Sequence, residues 1–152
     1  MSDDVERNKE LNREFFRRVF TEHDADAVDD LLAEDFHEHV RFPGFSMDRE
    51  GARAFFKEMF EAFPDLTPEI HSMVAQGDRV FIRSSFTGTH SKEFMGVPTT
   101  GRKVTVDNYD IVRIADGRAT DHWGIFDVMG MLGQMGVLPR PGEGAAEDAP
   151  AQ

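Results

Sequence analysis

The sequence predicts an α+β fold in which three N-terminal helices pack on a curved, mainly antiparallel sheet. Apolar residues recur at helical spacing through the first third of the chain, whereas the region after residue 70 contains strand-like runs separated by turn signals. Helices followed by consecutive strands with hairpin connections are typical of this class. A chain of 152 residues is long enough to bury the core of one domain.

Three helices account for the first part of the chain. The first is predicted from apolar residues on one face, which are Leu11, Phe15, Phe16, Val19 and Phe20. Asp24 or Asp26 is expected to cap the second helix, which runs to Leu32. The third helix follows a cap at Ser46 or Asp48, and its apolar stripe is continuous: Ala52, Phe55, Phe56, Met59, Phe60 and Phe63.

Four strands are predicted in the second half, and turn residues separate them. They cover Ile70 to Ala75, Arg79 to Thr87, Arg102 to Ile114 and Ala119 to Phe126. A short Met-rich helix is expected around Met131. The domain is expected to span residues 1–139, and residues 140–152, rich in Pro, Gly, Ala and acidic residues, are expected to form a disordered acidic tail.

The composition excludes several classes of function. A formal net charge of −12 argues against binding to nucleic acid or to anionic membrane surfaces. The absence of Cys excludes disulfides, thiolate metal sites and cysteine nucleophiles. No signal peptide or membrane-spanning run is evident, so a cytoplasmic protein is expected. The 14 phenylalanines favour an apolar or aromatic small-molecule ligand.

No metal and no cofactor are predicted. His37 and His39 alternate on a short segment expected over residues 37–42, and histidines at this spacing can bind zinc. The sequence indicates no third ligand for such a site. A serine hydrolase is not indicated either, because no serine lies in a nucleophile-elbow pattern.

The strongest constellation of chemical groups lies on the last predicted hairpin. Asn108 and Asp110 share one face of their strand, and His122 lies on the next strand. A three-residue loop over residues 115–117 places Asp110 directly opposite His122, whereas a two-residue loop places it beside Trp123. A carboxylate and an imidazole that meet in an apolar cavity are a candidate general acid/base pair, and a structural ion pair is the alternative.

Short segments along the chain resemble the SnoaL-like polyketide cyclases, a family of the nuclear transport factor 2-like superfamily. The segments are Asp35-Phe36 with Glu38-His39, Gly96 to Arg102, Arg113 to Arg118, Asp121-His122-Trp123 and Asp127. The resemblance spans roughly residues 8 to 138, and it implies a cone-shaped α+β barrel with a pocket for a small molecule. Asp127 matches an Asp that is common in the family at the end of this strand, and we interpret it as a cap or structural anchor for the C-terminal segment.

The resemblance also implies a reaction and the positions that carry it. The cyclases of this family close a ring by an intramolecular aldol condensation without metal or cofactor. Their acid/base is an Asp at the position of Gly124 in this chain, and the Gln and His of their preceding strand correspond to Asn108 and Asp110. The expected carboxylate is therefore absent, although His122 is retained. Asp110 across the hairpin is either a relocated acid/base or the mark of a family member with another reaction or with none.

We expect a protein that binds a small apolar carbonyl or polyketide-type compound and acts as a cyclase or isomerase by acid/base chemistry. The predicted site consists of Asp110 and His122 as catalytic residues and of Asn108, His39, Trp123 and Phe56 as substrate-binding residues. Two alternatives stay open: a ligand-binding or association domain without turnover, and an epoxide hydrolase, for which no clear second Asp is seen.

A homodimer is expected from the same resemblance, because such cones commonly pair through the outer face of the sheet. The residues expected on that face are Ile82, Ser84, Tyr109 and Ile111.

Overall fold

The structure is a computed structural model that describes residues 2–138. The predicted end of the domain at residue 139 and the predicted tail over 140–152 lie outside the described residues. Within residues 2–138, no helix is both long enough and apolar enough to cross a membrane.

The predicted helices are all present. Helix α1, Ser2–Phe15, continues as a π-helix over Phe16–Thr21, and a 3₁₀ turn at Ala25–Ala27 leads into α2, Val28–Leu31. Helix α3 covers Arg49–Ala62, and α4 covers Val128–Met135.

Acidic side chains cap three of these helical segments, as the sequence predicts. Asp24 accepts a hydrogen bond from the backbone N–H of Asp26 at the start of the 3₁₀ turn. Asp48 accepts the N–H of Gly51 at 2.9 Å at the start of α3, and Asp127 does the same for α4. Such caps satisfy N–H groups that the first turn of a helix leaves without a partner.

A curved sheet of five strands covers the helices on one side. The strands are β1, Leu32–Glu38; β2, Thr67–Gln76; β3, Arg79–Thr89; β4, Lys103–Ala115; and β5, Arg118–Phe126. Their order is β1-β5-β4-β3-β2, and every pair is antiparallel except β1 with β5. The sheet has two edge strands and does not close on itself, and the predicted α+β class with a mainly antiparallel sheet is confirmed.

Strand β1 corrects the expected boundary of the second helix. Leu32 was expected in that helix and a short extended segment was expected over residues 37–42. Leu32 has extended backbone angles, φ −101° and ψ 142°, and the strand begins there. Leu32 and Phe36 are both buried at a spacing of four, which fits a helix as well as this bulged strand.

The β4–β5 hairpin differs from both of the registers considered. Its turn contains two residues, Asp116 and Gly117, with φ of 52° and 74°, and not the expected three over 115–117. Positive φ at both turn residues is the type I′ geometry that suits a hairpin. Thr120 is then an extra residue in β5, where the pairing shifts across a bulge.

The bulge changes the partner of Asp110. In the observed register Asp110 lies opposite Gly124, and not opposite His122 or beside Trp123 as the two loop lengths predicted. Residues directly opposite each other share a face of the sheet, so Asp110 and His122 are diagonal neighbours on the same face.

The core lies between the helices and the inner face of the sheet. Strands β3 and β4 alternate, so that Val80, Ile82 and Val106 are buried inside while Tyr109 is 53% exposed on the outer face. The expectation that Ile82 and Ser84 lie on the outer face is wrong, because both are buried on the inner side with 3% and 0% of their surface exposed.

Candidate functional site

A cavity of about 170 Å³ lies between the helices and the inner face of the sheet. Twelve of the fourteen phenylalanines line it, together with aliphatic side chains from the strands. An apolar cavity of about 150 Å³ is large enough to hold a benzene molecule, so this one has room for a small organic group.

One wall of the cavity carries a continuous chain of hydrogen bonds through a histidine. His122 Nδ1 lies 2.7 and 2.9 Å from the two carboxylate oxygens of Glu38. His122 Nε2 lies 2.7 Å from Asp110 Oδ1. All three residues line the cavity. The exposed fraction of the side chain is 13% for Glu38, 25% for His122 and 10% for Asp110.

The chain of hydrogen bonds follows from the strand pairing. Asp110 on β4 and His122 on β5 reach each other diagonally across the inner face. Glu38 is the last residue of β1, and the parallel β1–β5 pairing places it beside His122. Two of the three groups therefore come from one hairpin, and the third comes from a distant part of the sequence.

Two further hydrogen bonds fix the carboxylates. Asn108 Nδ2 donates to Asp110 Oδ2 at 2.6 Å, and the backbone N–H of Val40 donates to Glu38 Oε1 at 3.0 Å. Both carboxylates are thus held in a fixed orientation by the protein itself. Such preorganisation is a feature of acid/base and binding sites.

His122 is charged at neutral pH. Burial of the ring lowers its pKa, but the hydrogen bonds that it donates to Asp110 and Glu38, with the charges of these carboxylates, together raise its pKa to about 10. Both ring nitrogens are then donors, which matches the acceptor on each side of the ring.

Gly124 provides the space in which Asp110 and His122 meet. A Cβ atom at this position would lie 2.8 Å from Asp110 Oδ1 and 3.0 Å from His122 Nε2. A side chain at residue 124 would therefore push the two groups apart. The position at which the resemblance implies a catalytic carboxylate has no room for one while Asp110 is bonded to His122.

The structure separates the six predicted site residues into two groups. Asp110, His122, Asn108 and Phe56 all line the cavity.

His39 and Trp123 lie outside the cavity, on the outer face of the sheet. Their rings stack with centroids 4.4 Å apart and planes 10° from parallel, and His39 Nε2 lies 3.0 Å from an Asp121 oxygen. The guanidinium carbon of Arg79 lies over the Trp123 indole, 5.2 Å from the ring centroid. This placement corrects the choice of both residues as parts of the pocket.

Glu38 belongs to this chain of hydrogen bonds but was not among the predicted site residues. Neighbouring residues on an extended segment point to opposite faces, so only one of Glu38 and His39 can face the cavity. The sequence offered no local signal for the choice, because β1 pairs with a strand about 80 residues further along the chain. The pair Glu38-His39 was identified only as part of a segment that carries the resemblance.

The family is decided by the match of its sequence profile. The profile described as SnoaL-like polyketide cyclase matches residues 10–135. The chain belongs to the SnoaL-like polyketide cyclase family. No curated protein matches this SnoaL-like chain in sequence.

Several solved structures are similar to this SnoaL-like protein over most of its length. TsrD from Streptomyces laurentii is 28% identical with a TM-score of 0.78, covering 86% of this chain and 95% of its own. AclR from Streptomyces galilaeus, a candidate hydroxylase, is 28% identical with a TM-score of 0.78, and the match covers 89% of this chain and 99% of AclR. IdmH from Streptomyces antibioticus, a candidate polyketide cyclase, is 34% identical with a TM-score of 0.73, and the match covers 86% of this chain and 99% of IdmH.

Proposed function

We propose that this protein is a cofactor-independent acid/base enzyme that cyclises or isomerises a small apolar carbonyl compound of the polyketide type. The observation that carries the proposal is the hydrogen-bonded chain of Glu38, His122 and Asp110 in the wall of a phenylalanine-lined cavity. Membership of the SnoaL-like family and the similarity to IdmH, a candidate polyketide cyclase, support the reaction class.

Asp110 is the proposed base. Its two oxygens accept hydrogen bonds from His122 and Asn108, and each oxygen keeps a second lone pair that can accept a proton. Asp110 removes a proton from a carbon next to a carbonyl group, and the enolate carbon attacks a second carbonyl carbon of the same molecule. The resulting alkoxide takes the proton back from Asp110, so the cycle consumes no cofactor.

Glu38 and His122 are proposed as positioning residues. The backbone N–H of Val40 holds Glu38, and Glu38 holds the imidazolium ring with Nε2 directed at Asp110. The imidazolium donates its Nε2–H to Asp110 Oδ1, which holds the carboxylate of the proposed base in one orientation in the apolar cavity. The phenylalanines around it select an apolar skeleton and reduce the access of water.

The test compares wild type with Asp110→Asn and with a matched control, Asp121→Asn. Both changes neutralise a carboxylate that touches a histidine, but Asp121 lies on the outer face with His39. Aromatic polyketide esters, small enones and steroid-like ketones are screened by thermal shift, and hits are followed for turnover by mass spectrometry. We expect turnover to fall by at least about 100-fold in Asp110→Asn and to stay near wild type in Asp121→Asn.

Glu38→Gln tests the positioning role with a readout that a structural role would not move. Removal of one of the two carboxylates lowers the pKa of His122, so the alkaline limb of the pH–rate profile should move to lower pH. An unchanged limb contradicts the positioning role.

A ligand-binding domain without turnover is the alternative outcome. Ligands would then stabilise wild type and Asp110→Asn alike, and none would be consumed. Conversion of a ligand at equal rates by both proteins would also overturn the role of Asp110.

We also propose that two copies of the chain pair through the outer face of the sheet. Val74, Phe81, Tyr109 and Ile125 expose 63%, 40%, 53% and 75% of their surface there. Exposed apolar side chains that cluster in this way are typical of an interaction site. Light scattering at micromolar concentration should give the mass of a dimer, and a monomeric mass would refute the pairing.

A further inference from the structure

The polar side chains of the cavity offer acceptors and almost no free donor. Both N–H groups of His122 are directed at carboxylates, and the amide of Asn108 donates to Asp110. The hydroxyl of Ser46 donates to Asp48 outside the cavity lining. A ligand that brings only acceptors therefore finds few partners on these walls.

Asn12 is the remaining polar side chain of the lining, and it adds little donor capacity. It is 5% exposed and donates one amide N–H to the backbone oxygen of Asn8 at 2.9 Å. One N–H and its carbonyl oxygen stay available.

The chain of hydrogen bonds leaves the cavity wall with a net negative charge. Glu38 and Asp110 each bring one negative charge, and the single imidazolium of His122 between them cancels only one of these. Among the described residues that line the cavity there is no Lys and no Arg. A charge that is buried without a counterion costs free energy, so a cationic ligand at this wall is favoured.

The remaining walls are compatible with a cation as well. The faces of aromatic rings carry a partial negative charge and attract cations, and phenylalanine rings dominate the lining. The formal net charge of the whole chain is −12, which attracts cations and repels anions at long range.

We infer that the cavity selects a ligand whose polar end is a protonated amine on an aromatic or aliphatic skeleton, and that it excludes carboxylates and phosphates. An ammonium group supplies three donors to the unpaired acceptors and cancels the net charge of the wall. The inference rests on the proposed use of this cavity as the ligand site, but it does not require turnover. For a substrate it means a carbonyl compound that carries an amino group.

The experiment compares three probes with one skeleton: 4-phenylbutylamine, 4-phenylbutanol and 4-phenylbutyrate. Their dissociation constants are measured by isothermal titration calorimetry on wild type near neutral pH. We expect the amine to bind at least about tenfold more tightly than the alcohol, and the carboxylate to bind most weakly, because hydrogen bonds between charged groups are the stronger ones.

Variants then locate the preference. Glu38→Gln and Asp110→Asn each remove one negative charge from the wall, and each should reduce the preference for the amine by about tenfold. Asp121→Asn removes the same charge from the outer face and should keep the preference. Thermal unfolding of each variant checks that it folds, and the ranking on wild type stands without the variants.

Three results would overturn the inference: equal or tighter binding of the carboxylate, a preference for the amine that survives in both cavity variants, or no binding of any probe at millimolar concentration. The catalytic proposal is tested separately, by turnover. Turnover of carbonyl substrates without a preference for amines would refute this inference alone, and a preference for amines without turnover would refute the catalytic proposal alone.

Discussion

Each face of the sheet carries a histidine in contact with carboxylate side chains. The inner and the outer pair, named here by their histidines, differ in burial and in the number of carboxylates that the histidine contacts. On the inner face His122 lies between Glu38 and Asp110 in an apolar cavity. On the outer face His39 contacts Asp121 beside the solvent, with side-chain exposures of 32% and 20%.

The comparison shows that the face of the sheet on which a histidine and a carboxylate meet decides how strongly their charges depend on each other. Burial opposes the charge on Asp121, but hydrogen bonds from His39 and Thr120 keep the pKa of Asp121 below its usual value. That outer pair is an ordinary surface contact of small energy. The inner histidine contacts two carboxylates whose side chains are only 13% and 10% exposed. Removal of the histidine would therefore leave two buried negative charges without a counterion.

Substitution of the two histidines should give the largest difference in stability between the inner and the outer pair. His122→Asn leaves two buried carboxylates without their cation, so we expect a loss of about 3–5 kcal/mol in the free energy of unfolding. His39→Asn should cost less than about 1 kcal/mol. Urea denaturation near neutral pH measures both values, and equal losses would contradict the distinction between the faces.

A smaller effect is expected at Gly124. In Gly124→Ala the new Cβ would force Asp110 and His122 apart, which should cost about 1–3 kcal/mol and reduce turnover. Gly133→Ala in α4 is the control, and it should be neutral or stabilising. Apart from the adjacent residues and the backbone of its own helix, nothing lies within 4 Å of the Cβ position there. A Gly124→Ala protein with wild-type stability would show that the two groups do not meet as described.

The contribution of the inner pair should also depend on pH with a known sign. A histidine whose pKa is raised from 6.5 to about 10 on folding stabilises the protein fully below 6.5 and loses this effect as the pH rises towards 10. The difference in unfolding free energy between wild type and His122→Asn should therefore shrink over this range. A difference that grows with pH would contradict a charged His122.

The smallest effect is expected from Asp121→Asn on the outer face. Its lowered pKa means that Asp121 stabilises the fold above its usual pKa of 3.8, and that this contribution is lost as the pH falls below that value. Near neutral pH we expect the substitution to cost less than about 1 kcal/mol in urea denaturation. A loss as large as that of His122→Asn would remove the contrast between the faces.

The sequence predicts the order of elements because each has a local signal. The apolar stripe of α3, a cap at Ser46 or Asp48 and a turn signal at Asp116-Gly117 are all visible within a few residues, and of these only the length of the turn was predicted wrongly. The face shared by Asn108 and Asp110 follows from alternation alone. These features depend on neighbours in sequence, and apart from the length of that turn they agree with the structure.

The parts of the site that depend on distant pairing were not predictable in the same way. The bulge at Thr120 has no side-chain signature, and it moved Asp110 opposite Gly124. The contact of Glu38 with His122 depends on the parallel pairing of β1 with β5, which only the folded sheet defines.

The charge on His122 is tested most directly by NMR of the imidazole nitrogens across a pH titration. His122→Asn assigns the signal, and His39→Asn identifies that of the outer histidine. We expect a ring that carries protons on both nitrogens throughout the neutral range and deprotonates near pH 10. A His122 that loses its proton near the ordinary value of 6.5 would contradict a charged chain of Glu38, His122 and Asp110.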